Sequence, residues 1–448
     1  MQWYKGNPTT LFETWEFGDN PLWADYQVLG PSFAAASVLL GIEDVLPVVL
    51  GARGCAVHIR FTKIAWGGDF NLEPLPLPFI EVNRNDVING YYRAAPAQLE
   101  NLRSMAQERN TRLIAIMSND DVLLSVADLE PLRRQVQEAS GVPTEVLEIS
   151  PLAGRNQWVG YDRALGLLYR HALKEPPPQK KDGINMVGWK WPSRERKHDI
   201  GACLALLEAL GIRVNNVIPG GSSLAAIRDS LASRANLLWC PSYIGETLEM
   251  LEKDYDLPLA GYTPPYGFEG TTTWLSELGS ALGNQEELVA YALRLRKTYE
   301  KELEPLRASL KGVKGFVSGG PGRLPGLLSI MADLEVDVVA AGLYWPHPSS
   351  KRTFPPILDQ LPNPPATFLV APSLYDLEEI AAHEKIDFWL GGYQEQHACK
   401  RHGIPFIPTT VYTKSHQCYE GVVTVAQKIL KALSGFDFVA NVFQSVEE

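Results

Sequence analysis

Cysteine is scarce in this chain. Only five of its 448 residues are cysteine, an odd number, and no two stand as Cys-x-x-Cys. That excludes a secreted disulfide framework and points to a reducing compartment. Long apolar runs are missing too: the longest fall far short of a membrane span and are broken by proline or glycine. Residues 1–5 offer no basic segment ahead of an apolar one, so no signal peptide is expected. The expectation is a cytoplasmic protein without a membrane span. Basic charge is in deficit. The net charge is −11 and the pI is near 5.4, which disfavours a general nucleic-acid binder. The eight histidines show no His-Glu-x-x-His spacing, and Gly-x-Ser-x-Gly is absent, so neither a zinc enzyme nor a serine hydrolase is indicated. Walker and full Gly-x-Gly-x-x-Gly loops are lacking, so no ATP site is expected in this chain.

What remains is an ordinary globular composition, 45% hydrophobic and 21% charged, long enough for two to four domains. Short apolar runs alternate with helical patterns at doubly wound spacing, which predicts an α/β protein with parallel sheets. The expected order begins with an aromatic, irregular arm over 1–27, lying on this chain or on a partner. A first α/β domain covers 28–173. It includes a helix over 31–40 capped near Ser32, a strand over 45–50 entered at Pro47, and a polar turn over 83–91. The run KEPPPQKKD at 174–182 is the best linker, since three prolines among charges fit neither helix nor central strand. A second α/β domain spans 184–284, a charged helical connector 285–310, and a third α/β domain with a closing helix 311–448.

The residues at 46–60, LPVVLGARGCAVHIR, organise the functional reading. A buried strand that empties into Gly-Ala-Arg-Gly puts Cys55 at the carboxyl edge of a sheet, where open α/β sheets place ligands. Beside Arg53 and His58, a thiolate there suits a soft metal or an iron–sulfur cluster. The alternative is a small buried hydrophobe. His58 and Arg60 read as a proton path, a docking salt bridge or a solvated face. Cys203 and Cys399 sit in helices and read as core. The loops PGGSS at 219–223 and SGGPGR at 318–323 open helices and offer amides to an anion, or are plain tight turns.

Five segments, VLGARGCAVHIR, ANLLWCPSYIGETLEMLEKDYDLPL, TPPYGFEGTTTWLSELG, DFWLGGYQEQHACKRHGIPFIP and SHQCYEGVVTVAQKIL, occur in the order in which the nitrogenase component 1 family carries similar ones. The chain resembles that family from about residue 28 to 435. The resemblance implies three Rossmann-like parallel-sheet domains and a sister α-type subunit in an α2β2 assembly. It also implies an ATP-hydrolysing iron–sulfur protein that donates electrons, and a [4Fe-4S] cluster at the subunit interface. A small-molecule substrate, or a larger iron–sulfur cofactor, would lie between the domains. Cys55 alone matches the family's cluster cysteines. Gly30-Pro31 and Met117-Ser118 stand where others would fall, so the partner must supply the remaining ligands. Asp120 or Asp121 could add an oxygen or cap a helix. Cys240 falls where a catalytic subunit of the family holds its large cofactor by a thiolate, and His416 and Cys418 flank the position of that subunit's histidine. The implied function is a reductase subunit of this kind, with a tetrapyrrole ring as a substrate class. The alternative is a scaffold that assembles and passes on a complex iron–sulfur cofactor; a third reading is a structural paralogue that has lost its cluster.

Overall fold

Continuous apolar runs become central strands because parallel sheets are covered on both faces. The computed structural model describes residues 3–5, 10–12, 30–54, 56–57, 59, 77–89, 92–118, 122, 128–149, 157–176, 178–189, 194–409 and 414–435. Its strands are β1 (Trp3–Lys5), β2 (Val45–Gly51), β3 (Phe79–Glu81), β4 (Leu113–Ser118), β5 (Thr144–Glu148), β6 (Ile184–Trp189), β7 (Val214–Pro219), β8 (Asn236–Leu238) and β9 (Leu259–Ala260). β10 (Lys314–Gly319), β11 (Asp337–Leu343), β12 (Thr367–Val370), β13 (Phe388–Gly391) and β14 (Phe406–Pro408) follow. They form three sheets, ordered β3-β2-β4-β5, β7-β6-β8-β9 and β1-β12-β11-β10-β13-β14. Every pairing is parallel except that of β1 with β12. This is the expected α/β class with three doubly wound parallel sheets.

With β1 set aside, each sheet starts in an interior strand, steps to one side and then returns to the other. The reversals fall between β2 and β4, between β6 and β8, and between β10 and β13. At such a reversal the flanking loops diverge and leave a crevice beyond the carboxyl ends of the strands. Pro47 lies inside β2, paired with Ala115, rather than at its entry. The missing amide is harmless for a local reason. Val49 donates its N–H to Pro78 ahead of β3, so by the two-residue period Pro47 faces the same side. There β3 pairs only from Val49 onward.

The helices used below are α1 (Pro31–Leu39), α2 (Gln157–Ala172), α3 (Arg194–Ala209), α4 (Leu224–Ser230), α5 (Gly267–Leu282), α6 (Gln285–Leu310), α7 (Arg323–Leu334), α8 (Gln396–His402) and α9 (Cys418–Leu433). α1 is capped at Gly30, with Pro31 in the first turn, where a missing N–H costs nothing; Ser32 lies inside the helix. Residues expected as a polar turn form a short helix, Arg84–Asn89. Asn83 Oδ1 accepts from Asn85 and Asp86 amides, and Asp86 accepts in return from the Asn83 amide. The sequence Asn-Arg-Asn-Asp carries that reciprocal cap. In the arm, β1 pairs with β12. Phe12 stacks on Phe354 with ring centroids 4.5 Å apart and meets Phe368 edge-on at 5.3 Å. This part of the arm therefore lies on its own third sheet.

One continuous core runs through all three sheets, from Phe33 in α1 to Ile429 in α9. Separate clusters cover the outer faces of the first sheet, around Val48 and Ile116, and of the third, around Phe316 and Trp389. α1 is buried at every residue. It approaches α2 so closely that a Cβ on Gly160 would stand 2.0 Å from the Pro31 carbonyl oxygen. Gly160→Ala should therefore force the two helices apart and lower stability by about 1–3 kcal/mol. Gly201→Ala in α3, where an added Cβ meets nothing within 4 Å, should instead raise it by about 0.5–1 kcal/mol. Chemical-denaturation midpoints of the two variants should move in opposite directions.

Candidate functional site

The carboxyl edges of the second and third sheets meet at Cys240. β8 delivers this residue beside the β6/β8 reversal, 8% exposed, and a single 3-10 turn, Pro241–Tyr243, follows. On one side lies Gly188 of β6, in the left-handed region at φ 112°; a Cβ there would approach the Cys240 amide nitrogen to 3.2 Å. On the other side lies Gly322, from the loop after β10. A Cβ there would stand 2.7 Å from Cys240 Sγ and 3.2 Å from Pro241 Cδ. Helix α2 closes the junction, since the Tyr243 ring stacks on its Tyr161 with centroids 4.5 Å apart.

The other candidates sit apart from that thiol. His416 is 1% exposed, and Lys428 Nζ donates to its Nε2 at 2.6 Å. Burial first, then the charges of Lys428 and Arg323, hold His416 well below the usual histidine range, so it is neutral. Cys418 opens α9 at φ 58°. Its N–H donates to the Pro265 carbonyl at 2.7 Å, and its Sγ lies 3.8 Å from Cys203 Sγ. Cys203, fully buried in α3, donates to Gln417 Oε1 at 3.1 Å. Nearby, Ser415 donates to the buried carboxylate of Asp199 at 2.7 Å. The structure thus groups Cys418 with Cys203, His416 with Lys428, and Cys240 with two glycines. Cys399 is buried in α8, and burial pushes its thiol up. Cys55, His58, Arg60, Asp120 and Asp121 lie outside the described residues. Arg53 is exposed and pairs with Glu81 at 2.9 Å. At PGGSS the amides are already committed: Ser223 Oγ caps Ala226, and Asp44 accepts from the Leu224 N–H at 2.8 Å.

Two groups escaped the sequence reading. Glu395 is fully buried and accepts from Ser318 Oγ at 2.7 Å, from the Tyr344 hydroxyl at 2.6 Å and from the Trp389 indole N–H. Tyr344 accepts in turn from the Gly392 amide at 2.6 Å. One carboxylate thereby ties the ends of β10, β11 and β13 beneath the SGGPGR loop. Its donors come from three strands, so only the Gly-Gly before it marked the place in the sequence. The second group is His347, 2% exposed. Its Nδ1 accepts from the Ser349 N–H at 3.0 Å, so its Nε2–H is the donor to the Ile244 carbonyl at 3.2 Å. Burial pushes it down to about 4. It lies between the second and third sheets with its ring edge-on to Trp158 of α2, centroids 5.2 Å apart. A histidine between two prolines gives no sequence signal for this.

Two observations bear on whether a bound group fits the junction. Trp345 packs on Gly320, where a Cβ would stand 2.7 Å from its indole. Trp345 Nε1 and, next to Cys240, Ser242 Oγ are buried with no hydrogen-bond partner among the described residues. Buried donors of that kind are normally satisfied, so the junction suits a ligand with acceptor atoms. Cys240 offers it a single sulfur, and no three His, Cys, Asp or Glu side chains gather as a metal-holding group among the described residues. Among the same residues no helix is long and apolar enough to cross a membrane.

Residues 31–434 match the family model described as nitrogenase component 1 type oxidoreductase. The chain is 24% identical over 430 residues to the nitrogenase iron-molybdenum cofactor biosynthesis protein NifE of Klebsiella pneumoniae, covering 90% of this chain and 89% of that one. It is 23% identical over 340 residues to the nitrogenase molybdenum-iron protein alpha chain of Methanosarcina barkeri, 71% of this chain and 60% of that one. It is also 23% identical over 331 residues to a light-independent protochlorophyllide reductase chain of a Roseiflexus species, 68% of this chain and 57% of that one. Among solved structures, Nitrogenase Cp1 at pH 6.5 superposes with a TM-score of 0.73 at 15% identity, covering 94% of this chain and 91% of that one.

The neutral His347 makes a prediction about acid stability. With the folded value near 4 against 6.5 unfolded, the unfolded chain binds the extra proton between those pH values. Stability from this group is complete above pH 6.5 and is lost as pH falls toward 4, by roughly 3 kcal/mol in all. His347→Gln should remove that component. Denaturation midpoints of wild type and variant, measured from pH 8 to 4, should converge as pH falls.

Proposed function

The chain belongs to the nitrogenase component 1 type oxidoreductases, and we propose that it is one subunit of a cytoplasmic two-component reductase of that kind. In this reading a sister α-type subunit completes an α2β2 assembly, and an ATP-hydrolysing iron–sulfur protein delivers electrons. A [4Fe-4S] cluster shared with the sister receives them, with Cys55 as this chain's ligand. The observation that carries the reading is the junction at Cys240, where the edges of the second and third sheets meet at Gly322 and two buried donors have no partner among the described residues. A substrate bound there would be read by Ser242 and Trp345 and walled by Tyr243. The protochlorophyllide reductase relative supports a tetrapyrrole ring as the substrate class.

An iron–sulfur group supplies one-electron storage when bound; this chain's residues supply burial and charge. Cys240 would present its thiolate to a larger cofactor, should one be carried. His416 stays neutral under Lys428 and Arg323, and those cations favour an anionic group nearby. The geometry around Cys418 joins it to Cys203, so the proposal leaves the cofactor to Cys240 and keeps His416 as a neutral neighbour. A second reading has its own support. The match to a cofactor biosynthesis protein runs nearly end to end, which favours a scaffold that holds a nascent cofactor at Cys240 without turnover.

Anaerobic co-purification with partner subunits, iron and sulfide quantification, and EPR test both readings. Cys55→Ala should abolish the reduced-cluster signal, whereas Cys240→Ala should leave that signal and abolish substrate turnover. A bound macrocycle supports the reductase, and an extractable larger iron–sulfur cofactor supports the scaffold. An unchanged signal in Cys55→Ala removes that ligand, and an iron-free, well-folded complex overturns both.

A further inference from the structure

Cys203 and Cys418 are far apart in sequence, 215 positions, yet their sulfurs lie 3.8 Å apart. One sits on α3 beside the second sheet, the other at the first turn of α9 against the third. We propose that these two thiols form a redox couple whose disulfide locks the segment before α9 onto α3.

The geometry supports it at each end. Cys418 adopts φ 58°, a conformation that side chains other than Gly, Asn and Asp seldom take. Two contacts hold it there. Its N–H donates to Pro265, and it bridges to Tyr266 in parallel fashion. Ser415, three residues earlier, is anchored to Asp199 on α3. The two sulfurs therefore face each other from backbones that are already docked. Closing the pair requires an approach from 3.8 Å to a bond of about 2.0 Å. What is given up is the Cys203 hydrogen bond to Gln417 Oε1.

The oxidant is a peroxide. The Cys418 thiolate, at 7% the more exposed of the two, attacks one peroxide oxygen. The O–O bond breaks, a sulfenic acid forms, and hydroxide leaves to take up a proton as water. Cys203 then attacks the sulfenic sulfur and the S–O bond breaks. The S–S bond forms and a second water departs, so two thiols lose two electrons to one hydrogen peroxide. Dithiols of reducing compartments that oxidise in this way are transient sensors rather than permanent staples. Burial, then the neighbouring Cys418, raise the Cys203 thiol above its usual range, so little thiolate is present and the response is slow. The locked segment carries His416 and Gln417, which makes the couple a device acting on the face of the second and third sheets that meets α9.

The test uses the full chain as purified, reduced, desalted and exposed to hydrogen peroxide over time. Samples are alkylated in guanidinium, digested and read by mass spectrometry without reductant. A peptide pair linked through Cys203 and Cys418 should accumulate and vanish with dithiothreitol. The thermal midpoint of the oxidised protein should rise in wild type and stay put in Cys203→Ala and Cys418→Ser. Links to Cys240 or Cys399 instead overturn the proposal. So does sulfinic acid on Cys418 with Cys203 untouched, or no link in the folded protein at times when the urea-unfolded chain has formed it. The readout needs neither iron nor turnover, so its failure is separate from that of the reductase reading.

Discussion

Contact between two sheet edges is the constraint on which the remainder of this structure depends. Parallel strands need crossovers, crossovers need loops, and loops normally keep sheet edges apart. Here the second and third sheets touch at a residue with no side chain, where Gly322 meets the Cys240 thiol. Gly188 lies against the Cys240 backbone within the second sheet, and Gly320 packs on Trp345 within the third. A methyl group at Gly322 would stand 2.7 Å from the Cys240 sulfur, which belongs to the other sheet. The close approach of the two edges therefore depends on what Gly322 lacks.

Polar groups around the junction follow from the same closeness. A buried carboxylate is costly unless its acceptor sites are filled, and Glu395 is filled by donors from three strand ends. A buried imidazole is cheaper neutral than charged. His416 and His347 are both held neutral, the first under a lysine and the second between a main-chain amide and a carbonyl. These arrangements fix the loops, and the two imidazoles add no charge, with Lys428 and Arg323 close enough to His416 to keep a proton off it. The fold superposes on a nitrogenase at 15% identity, so it is kept while most aligned side chains differ.

Much of this was legible from residues alone. The runs VLPVVL, LIAIM and FWLG read as buried strands and form them, because a strand covered on both faces needs little beyond apolar, β-branched content. Helix and turn boundaries were less secure. Asn83–Asp86 read as a turn, since polar residues fit turns and caps equally well, and only the reciprocal hydrogen bonds decide. Pro47 read as a strand entry, because sequence does not show which neighbour a given amide faces.

Length, composition and periodicity by themselves determined the α/β class and the parallel sheets, while Cys240, His416 and Cys418 became candidates only through the family resemblance. The class and the sheets depend on local spacing and on apolar content, both of which are linear properties of the chain. Which candidates stand together was decided only by tertiary structure. The resemblance set Cys240 beside His416 or Cys418; in the fold the Cys418 sulfur lies 3.8 Å from that of Cys203, and His416 accepts from Lys428. His347 carried no signal, and Glu395 none beyond the Gly-Gly before it. Ser318 and Tyr344 reach Glu395 from other strand ends, and the Ile244 carbonyl reaches His347 from 103 residues away. A hydrogen bond of that kind is a property of the folded chain that no local spacing encodes.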